Sequence, residues 1–187
     1  MVKIPQNKPK TILAIDASTN SLAFAIFEED KLLQFGKINF HGATAYDKVI
    51  DAGEKTRAFF KMFRNIDAIV IEHTVFMNSP KTAADLALVQ GALLGAAGIK
   101  LIRSVAPITW QMYIGNPKLT KQELADIKKN NPGKTDSWLK NYSREFRKQR
   151  TIKLIDVYYD RPVTDNDIAD AIGIGHYAVN NWEKLTK

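Results

Sequence analysis

The 187-residue sequence contains no cysteine, which excludes disulfides and thiolate metal sites. It has three histidines, His41, His73 and His176, and their separations match no zinc-binding pattern. No apolar run approaches the roughly 18 residues needed to cross a bilayer. The first ten residues hold Lys and Pro but no hydrophobic segment of signal-peptide type. These absences point to a cytoplasmic protein with no membrane partner. Repeats and low-complexity segments are missing too. Gly133-Lys134-Thr135 ends like a phosphate-binding P-loop, but Lys128 stands where the first Gly of that motif belongs and no apolar strand leads into it.

The composition, 45% apolar and 25% charged, is ordinary for a soluble globular chain. The length suits one domain, 1–187, with a sizeable core. The charge is less ordinary. Residues 116–153 hold eleven Lys and Arg against four Asp and Glu, which equals the whole net charge of +7. Such a concentrated excess is the footprint that neutralises phosphates, although a solvated basic face would have the same composition.

The hydrophobic pattern predicts strands at 11–16, 21–27 and 31–40, joined by the turns Ala17-Ser18-Thr19-Asn20 and Glu28-Glu29-Asp30 as an antiparallel meander. A helix over 46–63, a buried strand at 67–72, an Ala- and Leu-rich helix over 82–97 and a strand at 99–105 follow. Gly91 and Gly95 share a face of the second helix and permit close packing against another element. Pro107 suits the first turn of a short helix ending at 114. The stretch 116–149 is a polar, basic excursion with short helices. Helices over 150–159 and 164–182 close the chain, and residues 1–10 read as a flexible arm. This order predicts an α/β protein with a five-stranded mixed sheet flanked by helices.

Four acids occupy telling places. Asp16 ends the run Ile12-Leu13-Ala14-Ile15, and Glu72 ends Ala68-Ile69-Val70-Ile71. Asp167 and Asp170 share one helix face by their three-residue spacing. If that helix crosses the strand ends, all four converge, and hard divalent cations would relieve their repulsion, as in two-metal phosphodiester hydrolysis. Each acid has a simpler reading. Asp16 could organise the next turn. Asp167 and Asp170 could favour a helix N-terminus, with Thr164-x-x-Asp167 as a capping box. Glu72 is harder to explain that way, because the apolar run Ile69-Val70-Ile71 continues straight into it. Trp110, Trp138 and Trp182 read as packing residues.

The ordered set resembles the RuvC family of Holliday junction resolvases within the RNase H-like superfamily. Ile15-Asp16-Ala17-Ser18-Thr19, Val70-Ile71-Glu72-His73-Thr74-Val75-Phe76-Met77, Val105-Ala106-Pro107-Ile108-Thr109-Trp110-Gln111 and Asp167-Ile168-Ala169-Asp170-Ala171-Ile172 carry the likeness. Ser18 replaces a frequent family Gly, and the 116–149 excursion is longer than in bacterial members. These departures suggest a bacteriophage-type or diverged member, acting in a bacterial cell or phage-infected host.

The resemblance implies an RNase H-like fold and a homodimeric, metal-dependent endonuclease that cuts four-way junctions symmetrically. It implies Asp16, Glu72, Asp167 and Asp170 as catalytic carboxylates holding two Mg²⁺, with Mn²⁺ able to substitute and Asp16 bridging both ions. Phe76 becomes a candidate wedge against an unpaired base, with a core role as its alternative. Lys148, Arg150 and Lys153 become candidate DNA contacts, and 82–97 the candidate dimer helix. Two other functions share parts of this pattern. An actin-like ATPase or sugar kinase also begins strand–Asp–turn–strand, but needs a second similar domain. A non-catalytic RNase H-like nucleic-acid-binding module would have no use for four bare acids beside DNA.

Overall fold

Two tight turns organise the first half of the sheet. The computed structural model describes residues 8–73 and 79–185. Strands β1 (Thr11–Ala17), β2 (Ser21–Glu28) and β3 (Lys31–Asn39) form an antiparallel meander. Ser18, not Asp16, organises the first turn: its Oγ accepts from the backbone N–H groups of Asn20 and Ser21. Glu29 turns the second with a positive φ of 58°. Of the segment read as an arm, residues 8–10 lie against the sheet. Pro9 is buried, and the Lys10 carbonyl accepts from the Glu29 N–H.

Helix α1 (Ala45–Met62) starts at a capping box formed by Thr44 and Asp47 and leads into β4 (Ala68–Glu72). Helix α2 (Pro80–Ala97) ends at Gly98, whose φ of 68° suits the left-handed cap. Strand β5 (Ile102–Val105) begins three residues later than the pattern predicts. The strand order is β3-β2-β1-β4-β5, with β1, β4 and β5 mutually parallel. This is the predicted five-stranded mixed sheet with helices on both sides.

Strand periodicity divides the core in two. Leu13, Ile15, Ile69 and Ile71 face α1 and α2, together with Phe24 and Phe59. Ile12, Ala14, Ala68 and Val70 face the opposite side, with the last helix. Asp16 and Glu72 continue the second set, so both point to that side. The register, Ile15 beside Ile71, brings the two acids to adjacent strand ends.

That side is covered by α3 (Pro107–Tyr113), α5 (Asp136–Tyr159) and α6 (Asn166–Asn180), with α4 (Lys121–Asn130) packed on α5. Helix α6 lies very close to α3 because of Gly173 and to the sheet because of Gly175. A Cβ at Gly173 would sit 2.6 Å from the Trp110 ring, and one at Gly175 would collide with Phe27.

Three expectations change. First, α5 is one helix of 24 residues, so no boundary falls at 149–150. Second, Asp165 caps α6 by accepting from the N–H groups of Asp167 and Ile168, which removes the Thr164 capping box and frees the Asp167 side chain. Third, Gly91 and Gly95 are exposed, and nothing lies within 4 Å of a Cβ built on either, so the close packing they permit is not used within the described chain.

Candidate active site

The site assembles where β1 and β4 end under the first turn of α6. Asp16, Glu72, Asp167 and Asp170 are all half-buried there. Asp16 and Asp170 feel their acidic neighbours. Burial pushes the Asp16 carboxyl well above the usual carboxylate range, and Asp170, Glu72 and Asp167 push it further in that order, with Lys37 opposing. Burial, followed by Glu72 and Asp167, raises Asp170 to about 7 against the pull of Lys148 and Arg147. Glu72 is also raised by burial, and a hydrogen bond from Trp110 opposes the rise. Acids that raise one another's pKa hold unbalanced negative charge.

This oxygen-only donor set fits the chemistry of a hard divalent cation. Among the described residues, no three acidic or histidine side chains already form a closed set of metal ligands. The carboxylates therefore share a field without meeting at one point. Asp167 is turned toward β3, where Lys37 Nζ donates to its Oδ2 at 2.6 Å and to Asp165 Oδ2 at 3.0 Å. The sheet register explains this lysine. Lys37 pairs with Ala23, and Ala23 pairs with Asp16, so the three lie in one row across the face. The small Ala23 leaves room between the charged ends.

Two further residues shape the site without having been selected from sequence. Trp110 packs as predicted, fully buried, but its Nε1 also donates to Glu72 Oε2 at 2.7 Å. Arg147 lies on α5, near enough to Asp170 for each to shift the other's pKa, and it donates to Gln111 Oε1. The late acids and the basic excursion flagged both neighbourhoods. The individual contacts depend on packing between distant segments.

The sequence-selected DNA residues separate. Lys148 is beside the acids and lowers the Asp170 pKa, while lying 3.7 Å from Glu145. Arg150 turns toward α4, with its guanidinium 4.9 Å above the Phe146 ring and 3.9 Å from Glu123. Lys153 is exposed. Phe76, the candidate wedge, lies outside the described residues. His73 follows Glu72 as an exposed side chain.

No family model and no curated protein matches the chain. Solved structures do. One is T. thermophilus RuvC in complex with a Holliday junction substrate, at 14% identity and a TM-score of 0.64, covering 94% of this chain and 98% of that chain. Thermus thermophilus RuvC in a second structure matches at 14% identity and a TM-score of 0.61 over the same shares. The fold class is thus RNase H-like. Within it, the chain has the RuvC-type arrangement over nearly its whole length.

Proposed function

We propose that this protein is a divalent-metal-dependent endonuclease selective for branched DNA, which resolves four-way junctions by paired, symmetric phosphodiester hydrolysis. One observation carries the proposal: on a RuvC-type scaffold four half-buried carboxylates lie within electrostatic reach of one another, and cationic residues of α5 border them. Asp16, Glu72, Asp167 and Asp170 would hold two Mg²⁺, or Mn²⁺ in their place. Bound there, divalent cations supply an activated water and charge stabilisation at the phosphate. Trp110 orients Glu72 through its indole N–H. Asp165 fixes the first turn of α6, and with it the direction of Asp167. Arg147 and Lys148 attract the phosphate backbone to the edge of the acidic centre. The reaction would take place in the cytoplasm of a bacterial or phage-infected cell. Among the described residues, no helix is long and apolar enough to cross a membrane.

Symmetric cutting of a two-fold junction needs two such sites at a fixed separation, which a two-fold dimer provides. Helix α2 supports this assembly. Leu86, Val89 and Leu93 are buried, while Ala84, Ala87, Leu88, Gly91 and Gly95 leave a smooth apolar stripe in solvent. Phe76, in the segment just before α2, would act as the wedge at the branch.

A second reading has one observation in its favour. Lys37 neutralises Asp167 in place of a cation, as it would in a non-catalytic nucleic-acid-binding module. One experiment separates the two: mobile four-way junctions, forks and linear duplex are incubated with the protein in Mg²⁺ and in EDTA. Paired nicking of junctions in Mg²⁺ alone, lost in Asp16→Asn, is the expected result. Junction binding with no nicking under any metal would favour the module.

A further inference from the structure

The nuclease reading leaves a cavity of about 860 Å³ without a role. It is bounded by the loop after α3, by α4 and by α5, which is the region built from the basic excursion. Its size falls within the roughly 300–1,000 Å³ typical of ligand pockets. Leu119, Leu124 and Leu139 supply apolar wall, and Arg147 and Lys148 supply cationic wall. Asp170 also lines it, so the cavity adjoins the carboxylate cluster.

Two polar atoms behind its wall are buried and have no partner among the described residues. Asn116 is 1% exposed. Its Nδ2 donates to the Arg147 carbonyl at 2.9 Å and to Thr151 Oγ1 at 2.8 Å. A carbonyl only accepts, so the amide nitrogen must lie on that side. The Oδ1 is thereby fixed in place, and it has no partner among the described residues. Arg147 Nε is likewise buried and unpartnered, although its Nη2 donates to Gln111. Buried polar atoms left without partners are uncommon and costly. Both atoms lie beneath a wall that is apolar at Leu119, Leu124 and Leu139 and cationic at Arg147 and Lys148, beside the proposed cleavage centre.

We propose that this cavity receives one unpaired nucleotide of the substrate strand, next to the phosphate held at the carboxylates. Its base lies against Leu119, Leu124 and Leu139. Its phosphate rests on Arg147 and Lys148. The proposal builds on the nuclease reading and adds a determinant of where the cut falls. Extruding a nucleotide costs least where pairing is already broken, as at a branch point.

The test uses the Asp16→Asn protein with four-way junctions carrying 2-aminopurine at successive positions around the crossover. None of the residues lining the cavity is aromatic, so an inserted 2-aminopurine loses its stacking partners and brightens. A several-fold rise at one position, absent in Leu139→Trp and in Leu124→Trp, is the expected result at saturating protein. The two substitutions fill the cavity from different helices, so one that fails to fold does not decide the matter. In proteins that retain Asp16, the same substitutions should flatten the preference among cleavage sites on a mobile junction. A junction that is bound and, with Asp16 intact, cut, yet shows no rise at any position, overturns the pocket and leaves the nuclease reading standing. A rise that survives both substitutions also overturns it, because the base then unstacks elsewhere. A protein that binds no branched DNA overturns both readings.

Discussion

Replacing Asp170 with Asn should make the metal-free protein more stable at neutral pH while abolishing the proposed cleavage. The magnitude follows from the site. Burial and the neighbouring carboxylates lift Asp170 from 3.8 to about 7 in the folded protein. A carboxyl raised in this way favours folding below its unfolded pKa, and that contribution disappears as pH rises through the folded value. The relevant window is therefore pH 4 to 7. Each pKa unit is worth about 1.4 kcal/mol, so ionised Asp170 costs the folded state about 4 kcal/mol at pH 8 and less than half of that at pH 5. Asn keeps the side-chain size and removes the charge. Urea unfolding in EDTA should show Asp170→Asn more stable than wild type by about 2–4 kcal/mol at pH 8, with a smaller gain at pH 5. Adding Mg²⁺ should narrow the gap, because a cation that binds only the folded wild type stabilises it by mass action. A variant no more stable than wild type at pH 8, or a gain that does not grow with pH, would refute the electrostatic account of the site.

Three other perturbations test separate parts of the structure. Trp110→Phe removes the donor that holds Glu72 Oε2; Mn²⁺ affinity measured by calorimetry should fall by about 10–100-fold, as for other outer-shell partners of metal ligands. Lys37→Met releases Asp165 and Asp167 from their ion pairs; divalent-cation affinity should rise in the same measurement, and a fall would mean that Lys37 organises the acids more than it competes for them. Gly91→Arg places a long cation on the exposed stripe of α2, where nothing lies within 4 Å; sedimentation should give a folded monomer that loses paired incision, whereas a wild-type protein that stays monomeric on a junction would remove the dimer from the proposal.

Much of this architecture is legible in the sequence because the strands are short, apolar and punctuated. The runs ending in Asp16 and Glu72 mark two central strands, while the common face of the two acids follows from the register that sets Ile15 beside Ile71. The second half of the chain hides more. Residues 136–149 are mostly polar and charged and mask a thin helical stripe, so the pattern does not reveal that α5 continues through to Tyr159. A stack of aromatic rings, Trp138 on Tyr142 at 5.0 Å and Tyr142 on Phe146 at 6.3 Å, runs along the helix at four-residue spacing. Gly173 and Gly175 give no local signal either. Their meaning comes from Trp110 and Phe27, which lie far away in the chain. Lys37 is hidden for the same reason, since it meets Asp167 across 130 positions. Thr164 matches a capping motif, but the adjacent Asp165 takes the cap and leaves Asp167 available to the site.

The two charge populations explain why the site needs both of its neighbours. Lys37 opposes the charge of Asp16, and Arg147 and Lys148 oppose that of Asp170, yet the Asp16 and Asp170 carboxyls remain raised. The cations at the rim therefore do not balance the acids at the centre. A DNA phosphate approaching that centre would add negative charge where it is already in excess, so attraction by α5 alone would stop the backbone at the rim. Cations bound among the carboxylates would reverse the sign of the local field and let the phosphate move inward. On this argument productive binding depends on metal more steeply than simple docking does. If the chain docks on DNA as proposed, docking without metal would draw on the Lys and Arg excess of residues 116–153, and added salt would weaken it as counterions compete for the phosphates. The acids would add nothing to such docking, and neutralising any one of them would strengthen it by removing a repulsion.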